Sequence, residues 1–80
     1  MKVQTGSVVK ACAGRDSEGL FVVTSVQERY CFIADGKSRK LSAPKRKNLK
    51  HISFTDSVID LNDITDKKLR KLLREIKEAE

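Results

Sequence analysis

With 80 residues, 39% of them hydrophobic, the chain has the length of one small domain and leaves no room for a second. It has no Trp and three Phe, so the core must be built mainly from Val, Ile and Leu, and a large enclosed substrate pocket is not expected. The 17 Lys and Arg against 11 Asp and Glu give a formal charge of +6, which points to a polyanion or an acidic surface as partner.

The first half of the chain reads as short strands. Residues 6–13 form a mostly apolar run bounded by Gly6 and Gly14, with Val9, Ala11 and Ala13 on one face. The turn that follows, residues 14–19, lacks the GxxxxGK spacing of a phosphate loop and opens no helix. Asp16 and Glu18 within it read as solvated turn formers rather than as a catalytic carboxylate pair. Residues 20–26 contain the β-branched Val22, Val23, Thr24 and Val26, which favour a second strand over a helix. A third strand is expected at residues 30–34. Asp35-Gly36 then has the composition of a type I′ hairpin turn, with residues 38–41 as the returning strand.

Pro44 fixes its own φ and lacks a donor, so residues 45–48 are expected to form a basic loop separated from that strand. A fifth strand is predicted at residues 49–54. Strict alternation would put Leu49, His51, Ser53 and Thr55 on one side and Lys50, Ile52 and Phe54 on the other. Both sides would then mix apolar and polar residues, and a bulge or strand end near His51 would relieve the conflict. The period changes at the end of the chain. Leu69, Leu72, Leu73 and Ile76 recur at helical spacing, and Thr65 or Asp66 can cap the first turn with Ile64 packing back on it. The expected fold is mainly β: a small antiparallel barrel of about five strands over residues 1–60. Residues 61–80 form a C-terminal amphipathic α-helix packed on the same domain.

Enzymatic chemistry finds little support. The chain has one His, no phosphate loop and no separate nucleophile and base in a candidate cleft, so no catalytic residue, cofactor or small-molecule substrate is expected. Cys12 and Cys31 are nineteen positions apart, with only His51 to join them, which does not make a zinc site. Both read as small buried thiols of a reducing compartment. Neither a signal peptide nor an apolar run of membrane-spanning length is present in the sequence, so a soluble, cytoplasmic protein with no membrane partner is expected.

The charge is confined. Residues 37–50 hold Lys37, Arg39, Lys40, Lys45, Arg46, Lys47 and Lys50 with no acid among them, which leaves ten basic against eleven acidic residues elsewhere. Such a run repels itself unless an anion neutralises it, and Lys and Arg supply phosphate contacts through counterion release. Asn48 and His51 are the candidate polar readers beside them. Tyr30 and Phe32 read as core, with base stacking as the alternative.

Two stretches carry a resemblance to known families. GSVVKACAGRDSEGLFVVTSV, residues 6–26, resembles a KOW motif, the strand, glycine turn and strand of several translation and transcription proteins. PKRKNLKHI at residues 44–52, followed by TDSVID at residues 55–60 and the terminal helix, is similar to the fourteen-e family of large-subunit ribosomal proteins. The resemblance implies an SH3-like barrel associated with the ribosome that binds ribosomal RNA of the large subunit and contacts ribosomal proteins. Gly14 would be the motif's turn glycine, and Lys45, Arg46, Lys47, Asn48, Lys50 and His51 the matching basic segment. The alternative is a protein-interaction module of the translation or transcription machinery, its basic loop meeting an acidic protein patch.

Overall fold

The computed structural model describes residues 4–11 and 19–79. The turn glycine Gly14, the Asp16 and Glu18 pair, Cys12 and Ala13 lie outside the described residues. Five strands form one antiparallel sheet: β1 (Ser7–Ala11), β2 (Leu20–Val26), β3 (Tyr30–Ala34), β4 (Lys45–Asn48) and β5 (Ile52–Val58). Their spatial order is β4-β3-β2-β1-β5. A helix, α1 (Asp66–Ala79), follows β5.

The connection between the two edge strands dictates the shape. In a flat sheet of this order β4 and β5 would be four strand spacings apart, about 19 Å. Only the three-residue 3-10 turn Leu49–His51 joins them, and such a turn spans less than about 10 Å. The sheet must therefore coil so that its edges approach, and the mainly β, barrel-like domain with a C-terminal helix is observed as expected. Register shifts in β1 between Ser7 and Val9 and in β2 between Val23 and Ser25 add the local twist that coiling requires.

Both faces of the sheet are covered, which explains why β1 and β2 read as apolar runs rather than as alternating strands. Val9, Ala11, Phe21, Val23, Cys31, Ile33 and Ile52 form the cluster on the inner face, closed by Leu49 and Phe54. Val8, Leu20, Val22 and Ala34 form the other, beneath Ile59 and the helix residues Leu69 and Leu73. Cys31 is fully buried, and burial pushes its thiol up to about 11, so it packs as a neutral side chain at neutral pH.

Two sequence expectations are corrected. Residues 38–41 are not the returning strand of a tight hairpin, and residues 45–48 are not a loop: they are β4, the strand that pairs with β3. The cause is Asp35. Its carboxylate accepts from the backbone amides of Lys37 (2.9 Å) and Arg39 (2.8 Å), so these groups are bonded inside a loop and the return to the ladder is delayed to Lys45. The alternation conflict at His51 is resolved by the 3-10 turn at Leu49–His51, after which β5 begins with the buried Ile52.

The helix starts where its cap residue dictates. Thr65 Oγ1 accepts from the Lys68 amide at 3.2 Å, and Ile64 packs on the adjoining core as the expected staple. The apolar stripe docks only in part: Leu69 is fully buried and Leu73 nearly so, while Leu72 is 37% exposed. Leu69→Ala is accordingly expected to cost about 3 kcal/mol, and Leu72→Ala less than about 1 kcal/mol. Thermal unfolding of the two variants checks this, since each kcal/mol moves the midpoint of a domain this size by about 4–8 °C.

Candidate nucleic-acid interface

β4 is an edge strand of four consecutive polar residues, paired in the ladder with β3. An all-polar sequence can hold a strand here because β3 supplies the apolar anchor. Lys47 lies opposite Cys31 and Lys45 opposite Ile33, so both lysines stand on the inner face and are half-buried. Arg46 and Asn48 stand on the opposite face, across from Phe32 and Tyr30. There the Arg46 guanidinium lies over the Tyr30 ring, 4.8 Å from its centroid. The core reading of Tyr30 is therefore corrected: the residue is 36% exposed at the start of β3 and belongs to neither core cluster. Phe32 is half-buried.

The 3-10 turn prolongs this strip. Asn48 Oδ1 accepts from the Lys50 amide at 3.1 Å and so caps the turn, which leaves its carboxamide NH2 as the donor group. Lys50 and His51 are both exposed on the turn. The Leu49 amide bonds the Arg29 carbonyl at 3.0 Å, which brings the exposed Arg29 of the β2–β3 turn to the same end. Segment counting missed Arg29 because Glu28 beside it cancels its charge in the chain.

Lys37, Arg39 and Lys40 lie at the other end of β4, on the loop of residues 35–43. The loop is fixed from within and from below. Besides the two backbone amides, Asp35 accepts from Ser38 Oγ at 3.2 Å, and the Asp35 and Gly36 amides bond the Arg39 carbonyl at 2.9 and 3.0 Å. The Leu41 amide donates to Asp66 Oδ1 at 2.8 Å, and Arg70 Nη1 donates to the Gly36 carbonyl at 2.6 Å. Lys37 and Lys40 are exposed on this tied loop, and Arg39 is half-buried.

The nine expected site residues thus follow one strip of chain rather than form a cluster, with Lys45 and Lys47 turned to its inner side and Arg46 and Asn48 to the other. It runs from the loop through β4 to the 3-10 turn, with the Tyr30 and Arg46 stack at its side. Such a strip offers ammonium and guanidinium groups to phosphates, an amide and an imidazole for polar contacts, and an exposed aromatic ring beside a guanidinium for a base. Among the described residues, no group of three or more His, Cys, Asp and Glu side chains is placed to hold a metal ion, and no helix is long and apolar enough to cross a membrane. Compared with protein-family models and with curated proteins, the chain matches none.

Proposed function

We propose that this protein is a non-enzymatic RNA-binding module of ribosomal-protein type, which holds ribosomal RNA of the large subunit against the strip from Lys37 to His51. The observation that carries the reading is the mounting of the cations. Seven basic residues with no acid among them occupy a self-bonded loop, an edge strand and a capped turn, instead of a mobile tail. Holding like charges in fixed register costs stability in the free protein, and a polyanion offsets that cost. The exposed Tyr30 and Arg46 stack favours RNA over an acidic protein patch, because an unpaired base can lie on a guanidinium or aromatic plane. The stretches that resemble a KOW motif and the fourteen-e ribosomal proteins support the same reading, as does their order along the chain.

Sedimentation of tagged protein with ribosomal subunits, followed by crosslink mapping, tests the proposal. Crosslinks are expected from Arg46, Lys50 and Tyr30 to a defined site on large-subunit RNA. Crosslinks spread over messenger RNA would replace ribosomal RNA with a general RNA partner. Exposed Leu72 (37%) and Val58 (59%) favour a second reading, a protein-interaction module, and association that survives nuclease treatment would select it.

A further inference from the structure

The charges of α1 are not evenly spread. At about 100° per residue, Lys67, Arg70, Arg74 and Lys77 fall within an arc of about 80°, on the flank next to the buried Leu73, with no acid inside it. Asp66 and Glu78 each lie about 20° outside the arc, one at either edge, and Glu75 lies about 80° beyond Lys67. Glu78, four residues after Arg74, and Asp66, four residues before Arg70, border the arc, and the Asp66 carboxylate is taken up by the Leu41 amide.

This flank faces the basic loop. Lys37 lines a groove of about 470 Å³ together with Arg70, Arg74 and Lys77, over an apolar floor of Leu20 and Leu73. Arg70 and Arg74 also line an adjoining groove of about 550 Å³, formed by Thr65 and helix residues, that holds Lys67; the two grooves together are the furrow along α1. Asp35, the one acid on the first groove's wall, has its carboxylate oxygens bonded to Lys37 N, Arg39 N and Ser38 Oγ. Arg70 holds the furrow's shape through its bond to the Gly36 carbonyl, and Arg74, Lys77 and Lys67 are exposed.

We propose that the furrow along α1, bordered by the loop at its Lys37 end, is a second phosphate-binding surface, at which Lys37, Lys67, Arg74 and Lys77 hold a second stretch of RNA backbone. The inference rests on the RNA reading above and sharpens its partner: a folded RNA that presents two backbone segments, one to β4 and one to α1. The loop is the junction, with Lys37 facing the helix and Lys40 continuing towards β4. Because the Asp66 and Arg70 bonds fix the loop on the helix, both surfaces are held in one orientation, and binding at one positions the RNA for the other.

The test uses the full chain, purified large-subunit ribosomal RNA as probe, and dissociation constants measured between about 50 and about 200 mM salt. The furrow variant is K67Q/R74Q/K77Q and the strip variant is K40Q/R46Q/K50Q, all at exposed positions, with helix content checked by circular dichroism. The furrow variant should lose at least about tenfold in affinity and flatten the salt dependence by about two to three in log-log slope, as should the strip variant. A furrow variant that binds with wild-type affinity and slope, beside a weakened strip variant, overturns the inference and leaves the RNA reading intact. If the wild-type protein does not bind this RNA, the RNA reading fails and takes the inference with it. Loss in the furrow variant alone upholds the second surface and removes β4 as the first.

Discussion

The quadruple variant K37Q/K40Q/R46Q/K50Q is expected to bind large-subunit ribosomal RNA about a thousandfold more weakly than the wild type at about 150 mM salt, with its melting temperature nearly unchanged. The magnitude follows from counterion release. Each phosphate contact contributes about 0.9 to the log-log salt slope, so four lost contacts remove about 3.6 from the slope, which is roughly three decades of affinity at that concentration. All four side chains are exposed and Gln keeps them polar, and the relief of like-charge repulsion is set against the loss of the Arg46 contact with Tyr30, so the net change in stability is small. Lys45 and Lys47 are deliberately spared. They are half-buried opposite Ile33 and Cys31, and changing them would mix a packing effect with the electrostatic one. Filter binding across a salt series, read beside thermal unfolding, checks both halves of the expectation. Undiminished affinity in the quadruple variant would remove the strip as the binding surface.

The parts of the fold that could be read from residue order are those whose signals are local. The β-branched run of β2, the apolar run of β3 and the helical spacing of Leu69, Leu73 and Ile76 each bury a face within their own element, and each element lies where its pattern put it. The region between β3 and β5 was misread because its determinants are side chains acting on backbone. Asp35-Gly36 has the composition of a tight turn, but the Asp35 carboxylate takes two amides of the loop. The loop also gains long-range anchors in Asp66 and Arg70, which no pattern within residues 35–44 can announce. β4 was hidden for the opposite reason: it is all polar, and its strand character comes from pairing with β3 rather than from its own residues.

The candidate site shows the same division. Its cations were legible as a run without acids, since charge is a property of the sequence. Their distribution was not. Splitting Lys45 and Lys47 from Arg46 and Asn48 requires the strand register, and joining Lys37 to Arg74 and Lys77 requires the fold. The helical-wheel position of Lys67, Arg70, Arg74 and Lys77 was available in the sequence, but counting net charge by segment averaged it away against Glu75 and Glu78. Tyr30 was misassigned because a strand aromatic is usually core. It sits at the first position of β3, opposite Asn48, where neither apolar cluster extends.

Gly36→Val is expected to cost about 4 kcal/mol or more, enough to unfold much of the population of a domain this small. Two independent effects act at this position. The backbone holds φ at +77°, which a β-branched residue adopts only under strain of about 1–3 kcal/mol. A Cβ there would also overlap the Asp66 carbonyl and crowd Arg70 Cγ at 3.2 Å, so the loop could not stay seated on the first turn of α1. Lifting the loop would break the Arg70 bond to the Gly36 carbonyl and draw Leu41 off Asp66. Asn, which tolerates positive φ better, separates the two effects: Gly36→Asn relieves most of the strain and keeps the overlap. Both variants should therefore unfold at lower denaturant, with Gly36→Asn close behind Gly36→Val, because steric exclusion by the helix backbone is the larger effect. Wild-type midpoints in both would show that the loop is not held against α1. A stable Gly36→Asn beside an unstable Gly36→Val would assign the glycine to backbone strain alone.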